Sequence, residues 1–239
     1  LLIGHSNLFA QKENENWPDK TEIWNKLEIQ FNSSKTYDNP IYEVSNFGIT
    51  FTAPSGRKRN VNGFWDNGTD WKVRFLPDET GLWTWETNCS DEKNLGLHHR
   101  SGKFECQKNS NPNLIFKKGA IKHDPGKYYL SYNDGTPYFW LACTAWNGAL
   151  KSTDEEWQHY LNQRKENHYN VIQLVTTEWR GCDKNAEGLT AIEGKEPIQI
   201  HPEFFKRIDK KIDEANAKGL VVSPVILWAL PFGEGRELS

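Results

Sequence analysis

From Trp17 to about Gln107, apolar and polar residues alternate in short runs broken by turns. In "WKVRF" the residues Trp71, Val73 and Phe75 fall on one side and Lys72 and Arg74 on the other, the period of a strand buried on one face. The same rhythm returns in "KLEIQFNS", "YEVSNFGITFTAP", "GLWTWETNCS" and "GKFECQ", and Pro77 to Gly81 turns the chain between two of them. No helical period interrupts it. Repeated short strands of this kind predict a β-sandwich of immunoglobulin-like size over residues 17–108.

After "NSNPN", Asn109 to Asn113, the period changes. "KYYLSYNDGTPYFWL" reads as a hairpin turning at Asp134-Gly135, and "PYFWLACTAWNG", Pro137 to Gly148, as a buried strand running into a polar cluster. A helix follows, capped by Thr153 with Glu156 returning three residues later, striped by Trp157, Tyr160 and Leu161, and ending near Asn167. "NVIQLVTT", Asn170 to Thr177, is the next strand. The second helix begins at Pro202, places Phe205, Ile208, Ile212 and Ala215 on one face and stops at Gly219. "LVVSPVILWAL", Leu220 to Leu230, is the third strand.

Near-continuous apolar strands alternating with helices predict a parallel sheet covered by helices. A dinucleotide-binding unit needs a glycine-rich turn after its first strand, and "TAWNGALKS" holds one glycine. A (β/α)8 barrel needs no such turn. The expected fold is multidomain: an N-terminal immunoglobulin-like β-sandwich, then the first three β/α units of a truncated (β/α)8 TIM barrel over residues 109–239.

The 239 residues carry a formal net charge of -3, which offers no basic field to a polyanion, so no nucleic-acid partner is expected. Arg57, Lys58 and Arg59 form the compact basic run; they follow Pro54, Ser55 and Gly56 and read as a solvated turn. Residues 1–16, "LLIGHSNLFAQKENEN", start apolar and turn polar, as the remnant of a secretory signal and its linker would, which predicts a periplasmic or secreted protein. No later stretch is long and apolar enough to span a bilayer.

Four cysteines suit an oxidising compartment without requiring one. Cys89 shares a strand face with Trp83, Trp85 and Thr87, and Cys106 shares one with Phe104, so a Cys89/Cys106 disulfide and two buried thiols are equal alternatives. Cys143 and Cys182, near the ends of two later strands, either pair or stay free. No Cys/His spacing suggests zinc, and "DNGTD", Asp66 to Asp70, reads as a turn, not a calcium loop. No metal or redox cofactor is expected. His98, His99 and His123 with Asp124 read as solvated.

In a barrel the loops after the C-terminal strand ends build the active site. "TAWN" ends the first strand, "TTEWRG" the second and "LWALPFGEG" the third, which puts Trp146, Trp179 and Trp228 on one rim with Asn147, Glu178 and Arg180. Indole faces pack on the C–H faces of a sugar while polar groups direct its hydroxyls, so the expected ligand is a polysaccharide or oligosaccharide. Burial under the loops is the alternative for each tryptophan. The loop from Glu178 to Ile200 is of functional length. Glycoside hydrolysis needs two carboxyl groups about 5 to 9.5 Å apart. Glu178 is the one good carboxylate on this rim and reads as an orienting or surface residue; Glu234 and Glu237 fall too near the end to place. No serine elbow, Cys/His pair or H-E-x-x-H is present.

With these residues the chain resembles bacterial apiosidase-like glycoside hydrolase barrels preceded by an immunoglobulin-like domain of unknown function, over about residues 17–239. The resemblance rests on "GFWDNGTDWKVRFLPDETGLWTWET" and on "YFWLACTAWNGALKSTDEEWQHYLNQRKENHYNVIQLVTTEWRG". It implies a glycosidase whose acid/base and nucleophile sit on barrel strands four and seven, so no catalytic residue is carried over. Where the family's "DTAW" has an aspartate this chain has Cys143, so no sugar hydrogen bond is expected from that position. Some relatives of this two-domain type are described as collagen-binding. The expected function is the N-terminal portion of a secreted glycoside hydrolase acting on polysaccharide, with the rim present and the catalytic pair outside the chain; a non-catalytic glycan- or collagen-binding module is the alternative.

Overall fold

The computed structural model describes residues 17–177, 184–194 and 196–226. The chain divides into two compact units, Leu1–Asn109 and Ser110–Ser239. The apolar start, residues 1–16, lies outside the described residues.

The described part of the first unit runs β1 (Lys20–Glu22), β2 (Leu27–Asn32), α1 (Pro40–Glu43), β3 (Phe47–Thr52), β4 (Lys58–Asn62), β5 (Phe64–Asn67), β6 (Asp70–Phe75), β7 (Gly81–Cys89) and β8 (Ser101–Gln107). The strands form two sheets, ordered β1-β8-β7-β3-β4 and β2-β6-β5. Alternation decides which face each strand buries: Trp83, Trp85, Thr87 and Cys89 of β7 point inward, as do Trp71, Val73 and Phe75 of β6. Both sheets feed one core, where Phe51 of β3 stacks on Phe75 of β6 at 4.0 Å between ring centroids and Trp83 meets Phe75 edge-on at 5.1 Å. On the outer face, Arg74 pairs with Glu28 at 2.8 Å and Lys72 with Asp66 at 2.9 Å, across neighbouring strands.

Four expectations for this unit change. Tyr42 and Glu43 belong to a helical turn and not to a strand, because Pro40 presets the first helical residue and the Glu43 carboxylate accepts from the Asn39 N–H at 2.8 Å. Lys58–Asn62 is a strand although its side chains are almost all exposed; pairing with β3 recruits it, and its charges suit a sheet edge. His98 is half-buried and not solvated, its Nδ1 accepting from the Cys89 N–H at 3.1 Å. Arg57 and Arg59 are also tied down, to Asp78 at 2.8 and 2.5 Å, with Arg57 also 2.6 Å from Glu79. Of the two cysteine alternatives, the structure has free buried thiols. Cys106 stands opposite Gly81, eight residues along β7 from Cys89, a separation of about 27 Å where a disulfide tolerates about 7 Å. Burial, with Glu105 adding, pushes the Cys106 thiol up to about 11.

The second unit runs α2 (Leu114–Lys117), β9 (Ile121–His123), β10 (Leu130–Tyr132), β11 (Pro137–Tyr138), β12 (Ala142–Trp146), α3 (Gly148–Lys151), α4 (Asp154–Glu166), β13 (Val171–Val175), β14 (Ile192–Glu193), β15 (Gln199–Ile200), α5 (Pro202–Ala217) and β16 (Val221–Val225). A parallel sheet, β12-β13-β16, carries α4 and α5 in its crossovers. Ile172 and Leu174 of β13 pack with Trp157, Leu161, Phe204 and Ile208 of the helices. A small antiparallel sheet, β11-β10-β9, sets Tyr132 and Tyr138 against Ala142, Val171 and Val221, the first residues of the three parallel strands. No helix among the described residues is long and apolar enough to cross a membrane.

The expected strand from Pro137 to Gly148 is broken. Pro137 and Tyr138 pair backwards with β10, Phe139 and Trp140 are exposed by 78% and 46%, and the parallel strand starts only at Ala142. Asn170 makes the corner, its side chain bonding the Phe139 carbonyl and the Leu141 N–H. The near-continuous apolar burial expected of all three strands holds for β13 alone; β12 and β16 are half-buried, with Pro224 exposed, because they flank the sheet described here. The long loop after Thr177 contains, in its described part, the β14-β15 hairpin and a fully buried Ala191.

At α4 the expected capping box is present: Thr153 Oγ1 accepts from the Glu156 N–H at 3.2 Å, and Glu156 accepts from the Thr153 N–H at 2.9 Å. Of the predicted α5 stripe, Ile208 and Ala215 are buried and Phe205 and Ile212 are half-buried against the same core, while Phe204 and Lys211 are buried beside them. Lys211 earns its place by lying along the core and delivering its ammonium to the start of α4, 3.0 Å from both the Thr153 carbonyl and the Asp154 carboxylate. Hydrogen bonds from Lys210 and then Lys211 hold the Asp154 carboxyl at about 2, below its ordinary 3.8. A depressed carboxylate contributes stability above its unfolded value and loses it as pH falls through the folded one. Asp154→Asn is therefore expected to flatten the acid loss of stability between about pH 4 and pH 2, read from denaturant midpoints across that window. An unchanged slope would place the acid sensitivity elsewhere.

Candidate functional site

In a parallel sheet all C-terminal strand ends lie along one edge. Here that edge carries Trp146 at the end of β12, Thr176 and Thr177 after β13, and Ile226 after β16. Opposite β13, β12 spends one extra residue: Thr144 aligns with Gln173 and Trp146 with Leu174, leaving Ala145 as a bulge. Trp146 then takes φ = 42°, the left-handed region, before Asn147 starts α3. The bulge brings Trp146 into line with Leu174, so that the indole is half-buried and packs partly on the helix-side core. The edge is held together beyond the strands, since the Thr176 N–H donates to the Val225 carbonyl at 3.1 Å and the Thr177 hydroxyl to the Ile226 carbonyl at 2.9 Å.

Of the six sequence-derived rim residues, the structure places Trp146 and Asn147 at this edge. Glu178, Trp179, Arg180 and Trp228 lie outside the described residues, as do Cys182, Glu234 and Glu237. Residues 178–180 follow directly on Thr177, and Trp228 comes two residues after Ile226.

The sequence reading missed a polar row. Thr144, Gln173 and Ser223 stand side by side across the three strands, on the face opposite Ile172 and Leu174 and so away from α4 and α5. A signal existed: each is a lone polar residue inside an otherwise apolar strand, which register alone could align. Two hydroxyls and an amide in line can donate to and accept from a polyhydroxylated ligand.

Cys143 faces the other way. Its Sγ lies 2.7 Å from the Tyr160 hydroxyl on α4, so this position looks into the helix layer and its lack of an acid does not alter the open face. Burial, and then the Cys143 contact, push the Tyr160 hydroxyl up. Among the described residues no group of three or more His, Cys, Asp or Glu side chains is arranged to hold a metal ion.

Residues 124–238 match the family "Apiosidase-like, catalytic domain", and residues 20–90 match "Domain of unknown function (DUF5060)". The resemblance carried by the two sequence blocks, to apiosidase-like glycoside hydrolases behind a domain of unknown function, is thereby borne out. A solved structure from Bacteroides vulgatus ATCC 8482, classed provisionally as a glycoside hydrolase, aligns with a TM-score of 0.70 at 22% identity, covering 88% of this chain and 42% of that one. A second solved glycoside hydrolase aligns at TM-score 0.42 and 27% identity over 50% of this chain and 27% of its own. A family 5 glycoside hydrolase from Bacteroides vulgatus ATCC 8482 aligns at 0.40 and 24% over 46% and 24%. The chain thus shares the fold of the first and spans less than half its length. Among curated proteins the sequence finds no match.

Proposed function

We propose that this chain is the N-terminal portion of a secreted or periplasmic glycoside hydrolase acting on polysaccharide, with residues 17–108 as an immunoglobulin-like sandwich and residues 109–239 as the first three β/α units of a (β/α)8 barrel. The observation that carries the reading is the strand-end edge, where a bulge and a left-handed residue turn Trp146 out of the sheet's regular alternation. Such backbone devices gather at functional sites. The apiosidase-like match over residues 124–238 supports the same reaction class. Secretion is supported by the apolar start of the sequence.

In this reading the exposed part of Trp146 stands at the rim with Asn147, Glu178, Trp179, Arg180 and Trp228, and Thr144, Gln173 and Ser223 bond hydroxyls on the open face of the sheet. The carboxylate pair that breaks the glycosidic bond comes from later barrel strands. No redox cofactor takes part.

Trp146→Ala in the full-length protein is expected to weaken oligosaccharide binding by about 1–3 kcal/mol, the loss of a large aromatic contact. Titration calorimetry against neutral oligosaccharides, paired with thermal unfolding, checks it. Unchanged affinity with lower stability would make the indole a core residue and sink the rim. Binding without turnover in the full-length protein would favour a non-catalytic glycan-binding module.

A further inference from the structure

A second cleft opens at the other end of the parallel strands. It has a volume of about 690 Å³ and is lined by residues 111–115, the C-terminal parts of α4 and α5, Tyr132 and the residues leading into β13 and β16. That volume is in the range of small-ligand sites. The strands separate it from Trp146 by about 16 Å, five residues of extended chain.

Its chemistry is one-sided. Lys165, His168 and Lys218 line it together with several amide side chains, and none of the described lining residues carries a carboxylate. Lys218 donates to Asn162 Oδ1 at 2.7 Å, whereas the Lys165 ammonium has no ion-pair partner among the described residues. Cations also face the aromatic lining: Lys118, near the Asp134 carboxylate, lies 5.3 Å over the Tyr132 ring, and Arg164 lies 5.1 Å over that of Tyr169.

Both helices end here through a left-handed residue. After α5 it is Gly219, with φ = 81°; after α4 it is His168, with φ = 60°. Glycine takes this conformation without steric cost and histidine does not, so the imidazole is held at the cleft against the local preference of the backbone. Gly219 is required for a different reason. A Cβ there would stand 3.1 Å from both the Lys165 Nζ and Asn113 Oδ1, crowding each of them.

We propose that this cleft is a second ligand site, taking the carboxylate or sulfate of an acidic saccharide on Lys165, His168 and Lys218, with Tyr132 and Tyr169 beside the sugar body. The anionic part rests on the cleft alone; the saccharide part rests on the glycan-processing reading above. In that setting the cleft would hold a charged stretch of the polymer away from the strand-end rim.

The test is calorimetric titration of the full chain with a galacturonic acid disaccharide, an uncharged galactose disaccharide and sodium sulfate. The acidic disaccharide is expected to bind at least about tenfold more tightly than the neutral one, and Lys165→Gln to remove about tenfold, as loss of a charged hydrogen bond does. His168→Gly should weaken binding while raising the unfolding temperature, a combination that a purely structural histidine would not produce. Trp146→Ala should leave this affinity unchanged, so a failed rim and a failed cleft give different results. Equal affinity for the acidic and neutral sugars in the Trp146→Ala chain, or affinity for the acidic sugar indifferent to both Lys165→Gln and His168→Gly, would overturn the site. Sulfate binding as tightly as the acidic disaccharide would overturn the saccharide assignment.

Discussion

Trp157→Ala is expected to destabilise the second unit by about 3–5 kcal/mol, the range for removing a buried tryptophan. Trp157 is 1% exposed and stacks on Tyr160 at 5.4 Å between ring centroids, while its Nε1 donates to the Lys211 carbonyl of α5 at 3.2 Å. The Lys211 ammonium lies 5.7 Å over the same ring. The substitution therefore opens a cavity between α4 and α5 and also loosens the buried lysine that ties α5 to the start of α4. Trp157→Phe keeps most of the volume and loses the indole donor, so it should cost about 1–2 kcal/mol. Denaturant unfolding followed by two probes, one per unit, reads both effects, because a two-unit chain has no single unfolding free energy. Equal effects of Ala and Phe would mean that the hydrogen bond, and not the packing, holds the helices.

Gly96→Ala should damage the first unit about as much. A Cβ at Gly96 would fall 1.9 Å from the Asn32 carbonyl oxygen and 2.8 Å from the Ser34 nitrogen, both backbone atoms that cannot rotate away. The loop carrying Gly96 is docked by Asn94, which is fully buried: its Oδ1 accepts from the Ser34 N–H at 3.0 Å, and its Nδ2 donates to Ser33 Oγ at 2.7 Å and to the Tyr37 hydroxyl at 2.8 Å. Pushing the loop outward breaks these bonds and leaves a buried amide unsatisfied. Overpacking of about 1–3 kcal/mol, plus a similar cost for the stranded polar group, gives about 3–5 kcal/mol in total. Leu95→Ala, one residue earlier and 71% exposed, should stay within about 0.5 kcal/mol. If both substitutions proved equally mild, the 32–34 turn would be softer than its hydrogen bonds indicate.

The comparison of the two helices shows how far local pattern reaches. The start of α4 was legible, because Thr153 and Glu156 satisfy one another's backbone N–H groups within four residues. The face of α5 was legible only in part, because Lys211 reads as a solvent-facing residue until Thr153 and Asp154 are placed beside its ammonium.

By itself the sequence determined which residues of β2, β3, β6, β7 and β8 face inward, since strand alternation is a local property and only one face of each was apolar. It also determined the change of rhythm near Asn109 and the family resemblance, which contiguous blocks carry. Tertiary structure decided what depends on the register of distant segments. It holds Cys106 of β8 opposite Gly81, at the far end of β7 from Cys89, breaks the strand at Phe139 to Leu141 around the Asn170 side chain, and bulges β12 at Ala145. It aligns Thr144, Gln173 and Ser223 across three strands and brings two helix ends and their lysines to one cleft. The physical reason is the same in each case: periodicity tells which side of its own element a residue occupies, and only packing tells what stands opposite.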